Sequence, residues 1–119
     1  MGHAAEQRER DPVSLGHDEA EQIARTLQAL SAPSRLRILS ELRVRPCTVG
    51  ELTDALEIEQ SAVSHQLRLL RMSGLVASTR DGRHVTYTLY DDHVAALLDE
   101  AVYHAEHVRL GRTDGTPRS

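Results

Sequence analysis

The chain has 119 residues, of which 39% are hydrophobic and 3% aromatic, with no Phe or Trp and one cysteine. That length holds one domain with a modest core of Leu, Val, Ile and Ala, and a single thiol excludes both an internal disulfide framework and any multi-cysteine metal cluster. The net charge of −4 is uneven: residues 31–90 carry eight Arg against six acids while both ends are acidic, so only the middle suits a polyanionic partner.

Residues 1–17 are polar, contain Pro12 and Gly16, show no period and read as a flexible arm. No apolar run suits a signal peptide or spans a bilayer, so a cytoplasmic location without membrane contact is expected. From Asp18 onward Ile23, Leu27 and Leu30 mark one face of a first helix. "SAPSRLRILSEL" starts a second, with Pro33 in its first turn, Leu36, Leu39 and Leu42 as its buried stripe, and Pro46 as its stop. In "TVGEL", Thr48 and Glu51 form a capping box for a short third helix ending near Leu56. "EQSAVSHQLRLLRMSG" is the fourth, with Val63, Leu67 and Leu70 inward and Gly74 as the C-terminal stop. "LVAST" and "HVTYTLY" then read as strands of a hairpin turning at Asp81-Gly82. The pattern is mainly α with a β-hairpin: a winged helix-turn-helix over residues 18–108, followed by a flexible tail over 109–119.

The fourth helix turns Gln60, Ser61, Ser64, His65 and Arg68 outward. Short hydroxyl and amide groups near the start of such a helix reach base edges in a major groove, and the helix N-terminus favours phosphate. Arg68 and Arg71 are spaced for backbone phosphates, and Arg83 with His84 at the hairpin tip for the flanking minor groove. A solvated polar face is the plain alternative, and the basic hairpin directly behind the helix weighs against it.

"LSAPSRLRILSEL", "EQSAVSHQLRLLRMSGLV" and "RDGRHVTYTLYD" resemble the ArsR/SmtB family of winged-helix repressors, over about residues 20–108. The resemblance implies a homodimer with a C-terminal helix at its interface. It further implies binding, without inducer, to an imperfect inverted repeat in double-stranded operator DNA, and release when inducer binds.

"YDDHVAALLDEAVYHAEH", residues 90–107, reads as that last helix, with Val94, Leu97, Leu98, Ala101 and Val102 at helical spacing, His93 near its start and His104 and His107 near its end. Eleven steps of about 100° return His93 and His104 to one face, but the rise between them is about 16 Å, and one ion cannot bridge it. An antiparallel copy of the helix across a two-fold axis brings His93 of one chain to His104 and His107 of the other, with the apolar residues as the seam. Asp91 can join them from a position at or before the helix cap, although read alone it fits a plain N-cap better. Asp91, His93, His104 and His107 match, in spacing, the metal site on the last helix of SmtB-like members.

Four nitrogen and oxygen donors suit tetrahedral Zn(II), whereas selecting Ni(II) or Co(II) requires a larger shell. Loss of Met1 would expose the Gly2 amine beside His3, a competent pair for Ni(II) or Co(II), although "MGH" reads equally as an ordinary chain start. "MGH", "TLQALSAPSRL", "EQSAVSHQLRLLR" and "LLDEAVYHAEH" together resemble the nickel/cobalt-sensing branch of the family. That implies Gly2 and His3 as added ligands, Ni(II) or Co(II) as inducer and metal-efflux genes as targets, with Zn(II) as the alternative. Arg109 and Arg112 stand in a C-terminal region where further imidazoles belong in such a sensor, so an expanded shell falls to the arm; His17 is a spare candidate whose spacing supports nothing. Cys47 reads as an ordinary half-buried thiol, which argues against a sensor of thiophilic ions. "HAEH" pairs its histidines at i, i+3 rather than the i, i+4 of a zinc-protease box, so a metal-dependent hydrolase is disfavoured and no enzyme is expected. A metal-free, constitutive DNA binder is the other rival.

Overall fold

In the computed structural model, which describes residue 12 and residues 14–113, five helices and one hairpin follow one another. They are α1 (His17–Leu30), α2 (Pro33–Val44), α3 (Val49–Leu56), α4 (Gln60–Met72), β1 (Val76–Asp81), β2 (His84–Leu89) and α5 (Asp92–Thr113). The ends have local causes. Pro33 occupies the first turn of α2, where a missing N–H costs nothing. The Glu51 amide donates to Thr48 Oγ1 at 3.1 Å and the Thr48 amide to Glu51 Oε1 at 2.9 Å, the reciprocal cap that "TVGEL" predicts. Past α4, Gly74 takes φ +74°, its amide donates to the Arg71 carbonyl and the Leu75 amide to the Leu70 carbonyl. This paired closure satisfies two orphan carbonyls and packs Leu75 down on the core.

The hairpin departs from expectation by one residue. Asp81 pairs with His84, so the two-residue turn is Gly82-Arg83, and only Gly82 has a positive φ, +66°. A turn that needs the left-handed region at its first central position alone accepts arginine at the second. Arg83 therefore still stands at the tip.

The core is aliphatic: Ile38, Leu39 and Leu42 of α2, Leu52 and Leu56 of α3, Val63, Leu67 and Leu70 of α4, Leu75 and Val76, closed over by Val94 and Leu98 of α5. Cys47 belongs to it too, 1% exposed rather than half-buried, and its backbone bridges Tyr87 of β2 in both directions at 3.0 and 2.7 Å. Burial pushes that thiol's pKa up and suits it poorly to soft-metal chemistry. Leu36 and the tail depart from expectation, and the apolar face of α1 is left outward. Leu36 is 40% exposed, and Ile38 takes its place in the buried stripe. On α1 only Ala29 is buried, while Ile23 and Leu27 are 44% and 50% exposed. Of the predicted tail, residues 109–113 are helical, and Gly111 within them costs the helix only about 1 kcal/mol.

One ion pair clamps α5 to α2: Arg43 donates to both carboxylate oxygens of Asp99, at 3.0 and 2.8 Å. That hydrogen-bonded guanidinium holds the Asp99 carboxyl below its ordinary value. A depressed carboxylate contributes stability above its unfolded pKa and loses it as pH falls through the lower folded value. Asp99→Asn should therefore melt slightly below wild type at pH 7, with the gap closing as the carboxylate range is crossed downward. The effect is small because both side chains are about half exposed.

Candidate nucleic-acid interface and metal site

Helices α3 and α4 are joined by Glu57, Ile58 and Glu59. Glu57 takes the left-handed conformation (φ 57°, ψ 42°) as the C-cap of α3, and Ile58 packs on the core. This turn presents α4 with Val63, Leu67 and Leu70 buried and Gln60, Ser61, Ser64, His65 and Arg68 all exposed. Gln60, Ser61 and Ser64 line one shallow depression with Glu59. That carboxylate sits at the N-cap, where it already complements the positive end of the helix. Arg83 and His84 are exposed at the hairpin tip. Arg71 is exposed as well, and its Nη1 donates to Ser78 Oγ at 3.0 Å, linking the end of α4 to β1.

Behind the recognition face lies a contact that spacing did not suggest. Arg35 on α2 donates Nε–H to Gln66 Oε1 at 2.8 Å, and its Nη1 reaches the Gln28 and Ala29 carbonyls at 3.4 and 3.3 Å. Arg35 and Gln66 lie 31 residues apart in sequence, and no local pattern reports on such a contact.

At the start of α5 the Asp91 carboxylate does two things. Oδ1 accepts from the His93 and Val94 amides at 3.0 and 3.2 Å, and Oδ2 lies 3.4 Å from His93 Nδ1. One oxygen caps the helix while the other stands beside an imidazole, so cap and ligand are compatible roles. His104 and His107 are exposed near the far end, and the His107 ring stacks on Tyr103 with centroids 6.1 Å apart. A single straight helix keeps the two donor groups about 16 Å apart. Between them Val94 and Leu98 pack on the chain's own core, and of the five apolar positions at helical spacing Leu97, Ala101 and Val102 are left facing outward. Gly2 and His3 lie outside the described residues. Among those described, the donor atoms that gather within 4.8 Å belong to His17, Asp18 and Glu21, exposed on the first turns of α1, where Glu21 also pairs with Arg25 at 3.8 Å. No described helix is long and apolar enough to cross a membrane.

A helix-turn-helix with a polar outer face, followed at once by an arginine-tipped hairpin, defines a winged-helix DNA-binding fold. Residues 32–78 match the model of the arsR family of bacterial regulatory proteins. The chain is 56% identical, over 98% of both sequences, to the HTH-type transcriptional regulator NmtR of Mycobacterium tuberculosis. Its fold matches the solution structure of apo-NmtR with a TM-score of 0.69 and 57% identity, over 89% of each chain. It is 41% identical to the transcriptional repressor SmtB homolog of Synechocystis, over 87% of this chain and 79% of that one. The homodimeric winged helix-turn-helix domain of Mb0332 from Mycobacterium bovis aligns with a TM-score of 0.71 at 26% identity, over 80% and 91% of the chains. The chain belongs to the arsR family of bacterial regulatory proteins. The family and these relatives are regulators of transcription, and the hydrolase alternative falls with that membership.

Proposed function

We propose that the protein is a cytoplasmic, metal-responsive transcriptional repressor that leaves its operator when Ni(II) or Co(II) binds, freeing metal-efflux genes. Two copies sit on an imperfect inverted repeat of double-stranded DNA. Gln60, Ser61, Ser64 and His65 face the bases, and Arg68 with Arg83 faces the backbone and the flanking groove. The reading is carried by the layout of α5, with Asp91 and His93 paired at one end, His104 and His107 at the other, and outward apolar residues between. The bare Ile23 and Leu27 of α1 support dimerisation, as does the homodimeric relative.

The donor set of three imidazoles and a carboxylate suits a borderline divalent ion. Asp91 and His93 of one copy would hold it with His104 and His107 of the other, and Gly2 and His3 would enlarge the shell for Ni(II) or Co(II). The chain's own part is to carry those donors on a helix that is also the dimer seam. Inducer then favours one dimer geometry, and DNA, which needs its two recognition helices spaced for successive major grooves, favours another. Such linkage is worth about 1–3 kcal/mol and works equally in both directions.

Titration of the tag-free dimer with Co(II), read by d–d absorption alongside release from DNA by Ni(II), Co(II) and Zn(II), tests the assignment. A weak six-coordinate spectrum with release by nickel and cobalt is the expected result, and His3→Ala should then weaken nickel while sparing zinc. An intense tetrahedral spectrum with release by zinc would instead make this a Zn(II) sensor with an idle arm. DNA binding indifferent to all three metals would leave a constitutive binder.

A further inference from the structure

We propose that Arg35 is a positioning residue for DNA recognition, tying the last turn of α1 to the back of the recognition helix; this deepens, and rests on, the reading of α4 as the DNA-contacting element. The Arg35 guanidinium spans two elements at once. Nε–H donates to Gln66 Oε1 of α4 at 2.8 Å, and Nη1 faces the Gln28 and Ala29 carbonyls of α1 at 3.4 and 3.3 Å. The Ala29 carbonyl lies in the last turn of α1, where a cation complements the helix dipole, and the Gln28 carbonyl beside it also accepts from the Ser31 amide at 3.0 Å and from Ser31 Oγ at 2.8 Å.

At 100° per residue Gln66 sits about 140–160° around α4 from Ser61, Ser64 and Arg68, about 120° from Gln60 and about 100° from its neighbour His65, so it holds the helix from the side turned away from most of the DNA-facing residues. Both Arg35 and Gln66 are partly buried, which shields the bond from competing water and makes a hydrogen bond to a charged group worth more than a surface one. Only a planar fork makes both ends of this connection together; an ammonium in its place is a point charge and serves one end. Since α1 also carries the bare Ile23 and Leu27, a rotation of α1 at a dimer contact reaches α4 through this side chain.

The test uses the full-length protein with Arg35→Lys, Gln66→Leu and the two combined. The readouts are melting temperature, amide exchange along α4, and affinity for the duplex that wild type selects from a random-sequence library. Arg35→Lys keeps the charge at the end of α1, and Gln66→Leu keeps volume and removes only the acceptor. Each should hold its melting temperature within a few degrees, loosen α4 exchange around Gln66 and weaken the duplex about tenfold, the size of one lost charge-assisted hydrogen bond. The pair together should lose no more than either alone, because one connection is being cut twice. Wild-type affinity in Gln66→Leu, or losses that multiply in the double variant, would overturn the proposal. If wild type selects no such duplex, the DNA reading itself fails, and unchanged α4 exchange in Gln66→Leu would then remove the tie as well.

Discussion

Replacing His104 with alanine should leave affinity for promoter DNA within about twofold of wild type and abolish its release by nickel or cobalt. The side chain is exposed near the far end of α5, away from α4 and the hairpin, so its loss opens no cavity and removes no DNA contact. It does remove one of two imidazoles at its end of each proposed site. A coupling of 1–3 kcal/mol corresponds to roughly 5–150-fold in DNA affinity, and all of it depends on the ion being held across both chains. Fluorescence anisotropy of a labelled duplex, with and without Ni(II), reads both quantities in one titration. Equal loss of binding and of induction would mean that α5 and the DNA face are not separate sites.

A larger loss of DNA binding should come from a residue nowhere near the DNA. Leu27 is half exposed on α1 in the single chain, so Leu27→Asp should barely disturb the fold of one protomer. In a two-fold dimer the same change occurs twice at one interface, and each copy forfeits apolar burial and places a charge where a partner would dehydrate it. At about 2 kcal/mol or more per copy, the dimer weakens by at least a few hundredfold, and operator affinity falls with it because each half-site must then be bound alone. Analytical ultracentrifugation should show a monomer at concentrations where wild type is dimeric, with unchanged helical circular dichroism. A drop in helicity would place Leu27 in the protomer's own core instead.

What could be read before the structure was mostly local. The Thr48–Glu51 cap, Pro33 in the first turn of α2 and Gly74 after α4 each depend on residues within one turn of one another, and a linear pattern reports such things well. The hairpin's existence was legible but its register was not, because Asp81-Gly82 and Gly82-Arg83 both make acceptable two-residue turns and pairing along the whole strand decides between them. Periodicity identified the apolar faces of α1 and α5 without saying what covers them. Ile23 and Leu27 are left exposed among the described residues, whereas Val94 and Leu98 pack on the core and leave Leu97, Ala101 and Val102 outside. Arg35 and Gln66 could not be paired by any local rule. For the candidate metal site, the spacing of Asp91, His93, His104 and His107 carried all the information, since an ion held between two chains leaves no concentrated cluster within one.

The length of helix between His93 and His104 has a quantitative consequence for how such a repressor behaves in a cell. If no single chain can close the site, each ion held is also a dimer held, and metal affinity becomes a function of protein abundance. Diluting the protein below its self-association constant should release metal even at fixed metal activity, and raising the metal should rescue assembly at low abundance. The response threshold is then set jointly by the supply of inducer and by the number of repressor copies, so a cell that makes more of this chain also tunes the metal concentration at which it reacts.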